Sequence, residues 1–155
     1  DLRNEAERLR QTAILSADEI AALNFGALES FWQSEIGRRT RSHAIFVQRE
    51  MPFTARFAPA DLAQAGLTVQ PSLGSDEFVV VQGVVDLAVV RPEDIWILDF
   101  KTDSVSDESW PEKVRLYEPQ LRLYASALGR IYRRPVTQVW LHFLAIRRTV
   151  SILLP

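Results

Sequence analysis

Two apolar runs limit what this chain can fold into more than any other feature. Residues 78–90 read FVVVQGVVDLAVV and residues 95–101 read IWILDFK, with only Arg91-Pro92-Glu93-Asp94 between them. Both are dense in β-branched and aromatic residues, and a short polar spacer separates them, which is the pattern of two strands joined as a β-hairpin. Each run also holds an acid: Asp86 in the first, and Asp99 in the second with Lys101 two residues on. Burying a carboxylate in a strand is costly unless something pairs with it. Whatever compensates these two acids therefore bears on function.

If the four-residue spacer is the hairpin loop, Val90 pairs with Ile95, and the register run back along both strands sets Asp86 directly opposite Asp99. Opposed residues share a face, with Cβ atoms roughly 4.5–5.5 Å apart. Side chains alternate along a strand, so Lys101 joins Asp99 on that face while Phe100 points to the other. A β-bulge would slip this register by one residue. Two opposed carboxylates repel, so one protonates or a cation intervenes. Oxygen ligands at this spacing suit Mg²⁺ or Mn²⁺. A protonated lysine cannot be a ligand, but it can stabilise developing negative charge or orient a metal-bound water, the combination that phosphodiester hydrolysis uses. The competing reading of Asp-x-Lys near a strand end is a surface salt bridge worth about 0–1 kcal/mol. That reading does not explain two acids opposed on one face.

The rest of the chain frames the hairpin. Residues 1–10 form a polar helical pattern, and Ser16 with Asp18 and Glu19 reads as the capped start of a short helix. Residues 25–37 predict a second amphipathic helix, with Phe25, Leu28, Phe31, Trp32 and Ile36 on one face and Gly37 as its stop. Residues 44–57 read as a strand, bent or at a sheet edge because of Pro52, and 58–76 as loop. A helix starts near Pro111 with an apolar stripe of Val114, Tyr117, Leu121, Tyr124, Leu128 and Ile131. Pro119 predicts a break in it. Residues 136–146 and 150–154 read as further strands, with a turn at 147–149. The order αβββαβ is that of an α/β (α+β) domain with a mixed sheet and one crossover. At 155 residues the chain is expected to be a single domain, with a helical part over 1–43 and a core over 44–155.

The net charge of −2 gives no globally basic footprint for nucleic acid. The clusters Arg38, Arg39 and Arg41, Arg130, Arg133 and Arg134, and Arg147 and Arg148 read as solvated surface. With no cysteine the chain holds no disulfide, iron–sulfur cluster or thiolate zinc site, in keeping with a cytosolic setting. No apolar run approaches the ~18 residues that a membrane span needs, and the first residues do not read as a signal peptide.

Gly83-Val84-Val85-Asp86, then Asp99-Phe100-Lys101, then Gln120-Leu121-Arg122-Leu123-Tyr124 resemble the G-x-x-D, D-x-K and Q-x-x-x-Y motifs of the PD-(D/E)xK nuclease superfamily. The likeness is greatest to the RecB-type nuclease domains of bacterial AddA-type helicase–nucleases. Arg49-Glu50-Met51-Pro52-Phe53 is similar to the R-E-x-P-F stretch that precedes the active-site hairpin in that group. The resemblance spans about residues 25–146. It implies a restriction-endonuclease-like fold, a mixed central sheet flanked by helices, and a Mg²⁺- or Mn²⁺-dependent DNA exonuclease. Such a domain cuts strands delivered by an ATP-dependent motor in recombinational double-strand-break repair. It further implies Asp86, Asp99 and the backbone carbonyl of Phe100 as metal ligands, Lys101 as the group that activates water or stabilises the transition state, and Glu50, Gln120 and Tyr124 beside them. The implied partners are DNA, upstream helicase domains of the same chain and a second helicase–nuclease subunit, in a bacterial cytoplasm. A tyrosine on a core stripe such as Tyr124 also has a packing role to fill.

The chain departs from the family pattern in one respect. Relatives carry a Gly-Thr-x-x-His motif on an earlier helix, and nothing here matches it: His43 lacks the Gly-Thr, and His142 reads as a satisfied residue within a strand. This departure and the missing initiator Met lead to the expectation of a fragment of a longer helicase–nuclease that binds metal weakly alone. Two other readings compete: an inactive nuclease-fold module that contacts DNA or protein, and a stand-alone nuclease of the same superfamily. The intact Asp86, Asp99 and Lys101 weigh against lost activity.

Overall fold

The computed structural model describes residues 1–68 and 77–154. The chain divides into two compact units, Asp1–Arg41 and Ser42–Pro155. The first holds α1 (Leu2–Gln11), α2 (Ala17–Ala22) and α3 (Phe25–Gln33), and most of α4 (Glu35–Ser42). The caps are those the sequence announces. Asp1 accepts the Arg3 N–H at the start of α1, and Ser16 and Glu19 form a reciprocal capping box on α2.

The expected single helix over 25–37 with a stop at Gly37 is not found. The chain leaves α3 at Ser34, whose ψ of 164° is extended, and Ser34 Oγ accepts the Gly37 N–H at 3.1 Å to start α4. Gly37 lies inside α4. A Cβ there would stand 2.2 Å from the Phe31 carbonyl oxygen and 2.8 Å from Trp32 Cα, so the glycine permits close approach of two helices rather than ending one.

The second unit is built on a five-stranded mixed sheet in the order β1-β2-β3-β4-β5. The strands are β1 (Val47–Phe57), β2 (Val79–Val90), β3 (Ile95–Lys101), β4 (Val136–Phe143) and β5 (Arg148–Ser151). β1/β2, β2/β3 and β4/β5 run antiparallel; β3/β4 run parallel, joined across α6 (Trp110–Tyr132). The hairpin forms as the sequence implies, paired from Val90–Ile95 to Leu87–Leu98. Pro52 sits on an edge strand, where its missing N–H costs least.

Three expectations are corrected. Part of the expected loop 58–76 is α5 (Pro59–Gln64), with Pro59 in its first turn and Asp61 accepting the Ala58 N–H at 2.9 Å; residues 69–76 of that loop lie outside the described residues. α6 runs unbroken through Pro119. The carbonyl that loses its partner belongs to Arg115, an exposed residue, where water can replace the bond. Finally, β4 ends at Phe143 and β5 begins at Arg148, so the turn falls at 144–147, with Arg147 in the left-handed region at φ 53°.

One core fills the α6 side of the sheet. Leu121, Tyr124, Ala125 and Leu128 of α6 pack with Phe53, Phe57, Val85, Ile97, Leu141 and Phe143. The alternate residues Trp96, Leu98 and Trp140 are buried on the opposite face, with the two indoles edge-on at 6.0 Å and His43 edge-on to Trp96 at 4.9 Å. Burial on both faces explains why β3 is apolar without alternation until Asp99. Among the described residues no helix is long and apolar enough to cross a membrane.

Candidate active site

Asp86 and Asp99 stand where β2 and β3 part. The ladder ends at Leu87–Leu98, and the next residues in register are the two acids. There Asp86 Oδ2 accepts the Phe100 N–H at 2.7 Å, so a side chain takes over where backbone pairing stops. The N–H and C=O of one extended residue project to the same strand edge. The Phe100 carbonyl, expected as a metal ligand, therefore lies on the edge that Asp86 borders.

Asp99 is paired in register with the core residue Leu141 and is only 3% exposed. Its Oδ2 meets the Lys101 ammonium at 2.8 Å and, that contact apart, has no hydrogen-bond partner among the described residues. Burial pushes the Asp99 carboxyl above the usual range; the Lys101 ammonium pulls it back, and the Asp86 charge adds to the rise. The two acids are thus compensated differently, Asp86 by a backbone amide and Asp99 by an amine.

Lys101 is also held from α6. Its Nζ lies 4.4 Å from the centre of the Tyr117 ring. The Tyr117 hydroxyl donates a short hydrogen bond to Asp103 Oδ2, which Lys113 approaches at 3.4 Å. That bond, then burial, pushes the Tyr117 phenol up to about 12, and the same bond holds the Asp103 carboxyl below its ordinary value. Neither residue is among those the sequence assigns to the site: Tyr117 reads only as a member of the α6 stripe, and Asp103 has no reading there. The available signal was the second acid two residues beyond the lysine.

The remaining expected residues divide. Gln120 Nε2 donates to the Tyr124 hydroxyl at 2.8 Å, so the two are joined one turn apart on α6. The Tyr124 ring packs edge-on to Phe53 at 5.1 Å, and both rings lie over Gly83, where a Cβ would come within 2.8 Å of Phe53 and 3.1 Å of Tyr124. The glycine three residues before Asp86 is therefore what lets α6 close on β2. Glu50 faces Asp86 in the β1/β2 register, but the pairing skips both, passing from Arg49–Leu87 to Met51–Val85. Glu50 takes φ 47°, a left-handed conformation that costs a side-chain-bearing residue on the order of 1–3 kcal/mol. Its side chain is exposed. The geometry brings Asp86, Asp99 and Lys101 together, and Glu50 shares their row in the register.

Neither histidine joins them. His142 alternates to the other face, beside Phe100 at 5.8 Å, and its Nδ1 is 2.8 Å from Thr149 Oγ1. Burial pulls its imidazole down to about 4, so it is neutral at pH 7. His43 packs on Trp96 and contacts Ser42 and Arg91.

A divalent ion fits the donors at the ladder end in kind. A buried carboxylate oxygen beside an ammonium, a second carboxylate held by a backbone amide and a carbonyl on the same edge are all hard oxygen ligands. They do not complete a site by themselves: among the described residues no group of three or more His, Cys, Asp and Glu side chains is placed to hold a metal.

Comparison with known proteins gives the same direction. Residues 1–150 match the family model of the PD-(D/E)XK nuclease superfamily. The chain is similar to bacterial proteins named as subunits of an ATP-dependent helicase/nuclease: 32% identical over 139 residues in Syntrophomonas wolfei, 32% over 149 in Listeria innocua and 30% over 138 in Moorella thermoacetica. These alignments take in 90%, 92% and 89% of this chain but only 11%, 12% and 9% of those much longer relatives. With Asp86, Asp99 and Lys101 gathered at one ladder end and Tyr124 packed over Gly83, the chain belongs to the PD-(D/E)XK nuclease superfamily.

Proposed function

We propose that this chain is the metal-dependent DNA exonuclease domain of a bacterial, cytoplasmic ATP-dependent helicase–nuclease acting in recombinational double-strand-break repair. Its partners on this reading are single strands of DNA, upstream helicase domains of the same protein and a second helicase–nuclease subunit. The observation that carries the proposal is the ladder end itself, where, among the described residues, a buried Asp99 is compensated only by Lys101 while Asp86 sits beside it.

Asp86, Asp99 and the Phe100 carbonyl would hold Mg²⁺ or Mn²⁺, which when bound supplies Lewis-acid polarisation of a phosphodiester oxygen and a water of lowered pKa. The chain's own residues do the rest. Asp86 is kept from turning away by the Phe100 amide, and Asp99 by burial, so both present oxygens without reorganisation. Lys101 places a fixed positive charge beside them, where negative charge builds on the phosphate in the transition state and a low-dielectric wall strengthens its effect. Gln120 and Tyr124 brace that wall through their mutual bond, and Glu50 lines its β1 border.

Lys101→Ala in the complete natural protein tests the proposal. Cleavage of single-stranded DNA in Mg²⁺ is expected to fall by about 10²–10³-fold, the usual loss for one electrostatic donor. Mn²⁺ binding by calorimetry should persist in that variant and disappear in Asp99→Ala. Wild-type cleavage by Lys101→Ala would end the assignment.

A further inference from the structure

We infer that Tyr117 and Asp103 are positioning residues for Lys101: the ammonium is held between the Asp99 carboxylate and the face of the Tyr117 ring, and Asp103 fixes that ring. The inference rests on the proposed role of Lys101 in cleavage.

A lysine ends a flexible four-carbon stem, and its ammonium is a point charge with no geometry of its own. An ion pair with Asp99 alone fixes one distance, 2.8 Å, and leaves the head free to swing about it. The Tyr117 ring at 4.4 Å supplies a second contact from another element, since a cation is attracted to the negative face of an aromatic ring. Two contacts, one from β3 and one from α6, turn a swinging head into a located charge.

The ring must itself be held. Its hydroxyl donates to Asp103, which lies just past the end of β3, so one hydrogen bond ties the loop after Lys101 to the second turn of α6. Lys113, one turn before Tyr117, approaches the same carboxylate and balances its charge. The phenol stays protonated at neutral pH and keeps its donor role. Asp103 therefore acts on Lys101 chiefly by holding Tyr117, with a smaller direct attraction between its carboxylate and the ammonium.

The test measures single-turnover cleavage of a single-stranded oligonucleotide by the complete natural protein. The variants are Tyr117→Leu, Tyr117→Phe, Asp103→Ala, Lys101→Ala and the Lys101→Ala/Tyr117→Leu double variant. Tyr117→Leu should cut the cleavage rate about tenfold, in line with a desolvated cation–π contact, while Mn²⁺ affinity and the KM for DNA stay unchanged. Tyr117→Phe keeps the ring but loses its bond to Asp103, so it should cost several-fold, less than Tyr117→Leu and about as much as Asp103→Ala. Asp103→Ala should cost several-fold. In the Lys101→Ala background Tyr117→Leu should cost nothing more, because its target is gone. A Tyr117→Leu loss that multiplies with that of Lys101→Ala, or a Tyr117→Leu rate equal to wild type while Lys101→Ala is impaired, overturns the inference and leaves the proposed function standing. A Lys101→Ala protein that cleaves normally removes the proposed function first. If Tyr117→Leu melts early, Tyr117→Phe, which breaks the bond to Asp103 without changing charge, decides by the same rule with and without Lys101→Ala.

Discussion

At the scale of single residues, alternation and register are enough to reach the site. Asp86, Asp99 and Lys101 could be brought together from sequence because strand periodicity is two and the RPED spacer sets which residues oppose. Tyr117 and Asp103 could not, since their meeting depends on how a loop brings α6 back over the end of β3, and no local pattern records that path. Gly83 falls between these cases. The motif marks it, but the reason is tertiary: the Phe53 and Tyr124 rings occupy the space a side chain would need. Gly83→Ala should therefore destabilise by overpacking, by about 1–3 kcal/mol, read as a lower urea midpoint at unchanged slope. A variant as stable as wild type would mean that the two rings can move aside, and that the helix bearing Gln120 and Tyr124 is not pinned to β2 here.

Among elements, those with long patterned sequences were legible, and those set by a few hydrogen bonds were not. The hairpin and the apolar stripe of α6 announce themselves. The division of α3 from α4 at Ser34, the short α5, and the continuity of α6 through Pro119 depend on one cap or one solvent-facing carbonyl, each worth about 1 kcal/mol. The RPED loop shows how much such bonds can carry. Asp94 is buried, and it accepts from Arg91 Nε at 2.7 Å, Trp96 Nε1 at 3.1 Å and Thr137 Oγ1 at 2.5 Å, joining the loop to β3 and to β4. Burial alone would raise its carboxyl, but those three bonds with the Arg91 charge bring it below the usual value. Asp94→Ala would strip the acceptor from an arginine and a buried indole together, for about 2–4 kcal/mol. Chemical denaturation would measure it; a loss within a few tenths of a kcal/mol would show the hairpin register to be set without Asp94.

For the molecule as a whole, the groups that fold away from water set its response to acid. The lowered carboxyls of Asp94, Asp61 and Asp103 contribute stability that is present above the ordinary carboxylate range and is lost only as pH falls through it. Asp99 has the opposite sign: its raised carboxyl takes up a proton in the native state first, so acidification favours the fold through that group. His142 acts in the window above the carboxylates. Its imidazole is pulled from 6.5 to about 4 by burial, so as pH falls below 6.5 the unfolded chain binds a proton that the native one refuses. Unfolding is favoured progressively until the folded value is reached. Over the span from about pH 7.5 to about pH 5 this amounts to about 2 kcal/mol, since each tenfold difference in proton affinity between the two states is worth about 1.36 kcal/mol. Because the raised Asp99 carboxyl works in the opposite direction, the comparison is made with His142→Gln, which has no proton to gain and keeps a polar group facing Thr149. Urea unfolding of both proteins across that span should show wild type losing about 2 kcal/mol more than the variant. Equal losses would mean that His142 titrates as freely in the folded sheet as in the unfolded chain, and that the β4 face opposite the acids is open to water.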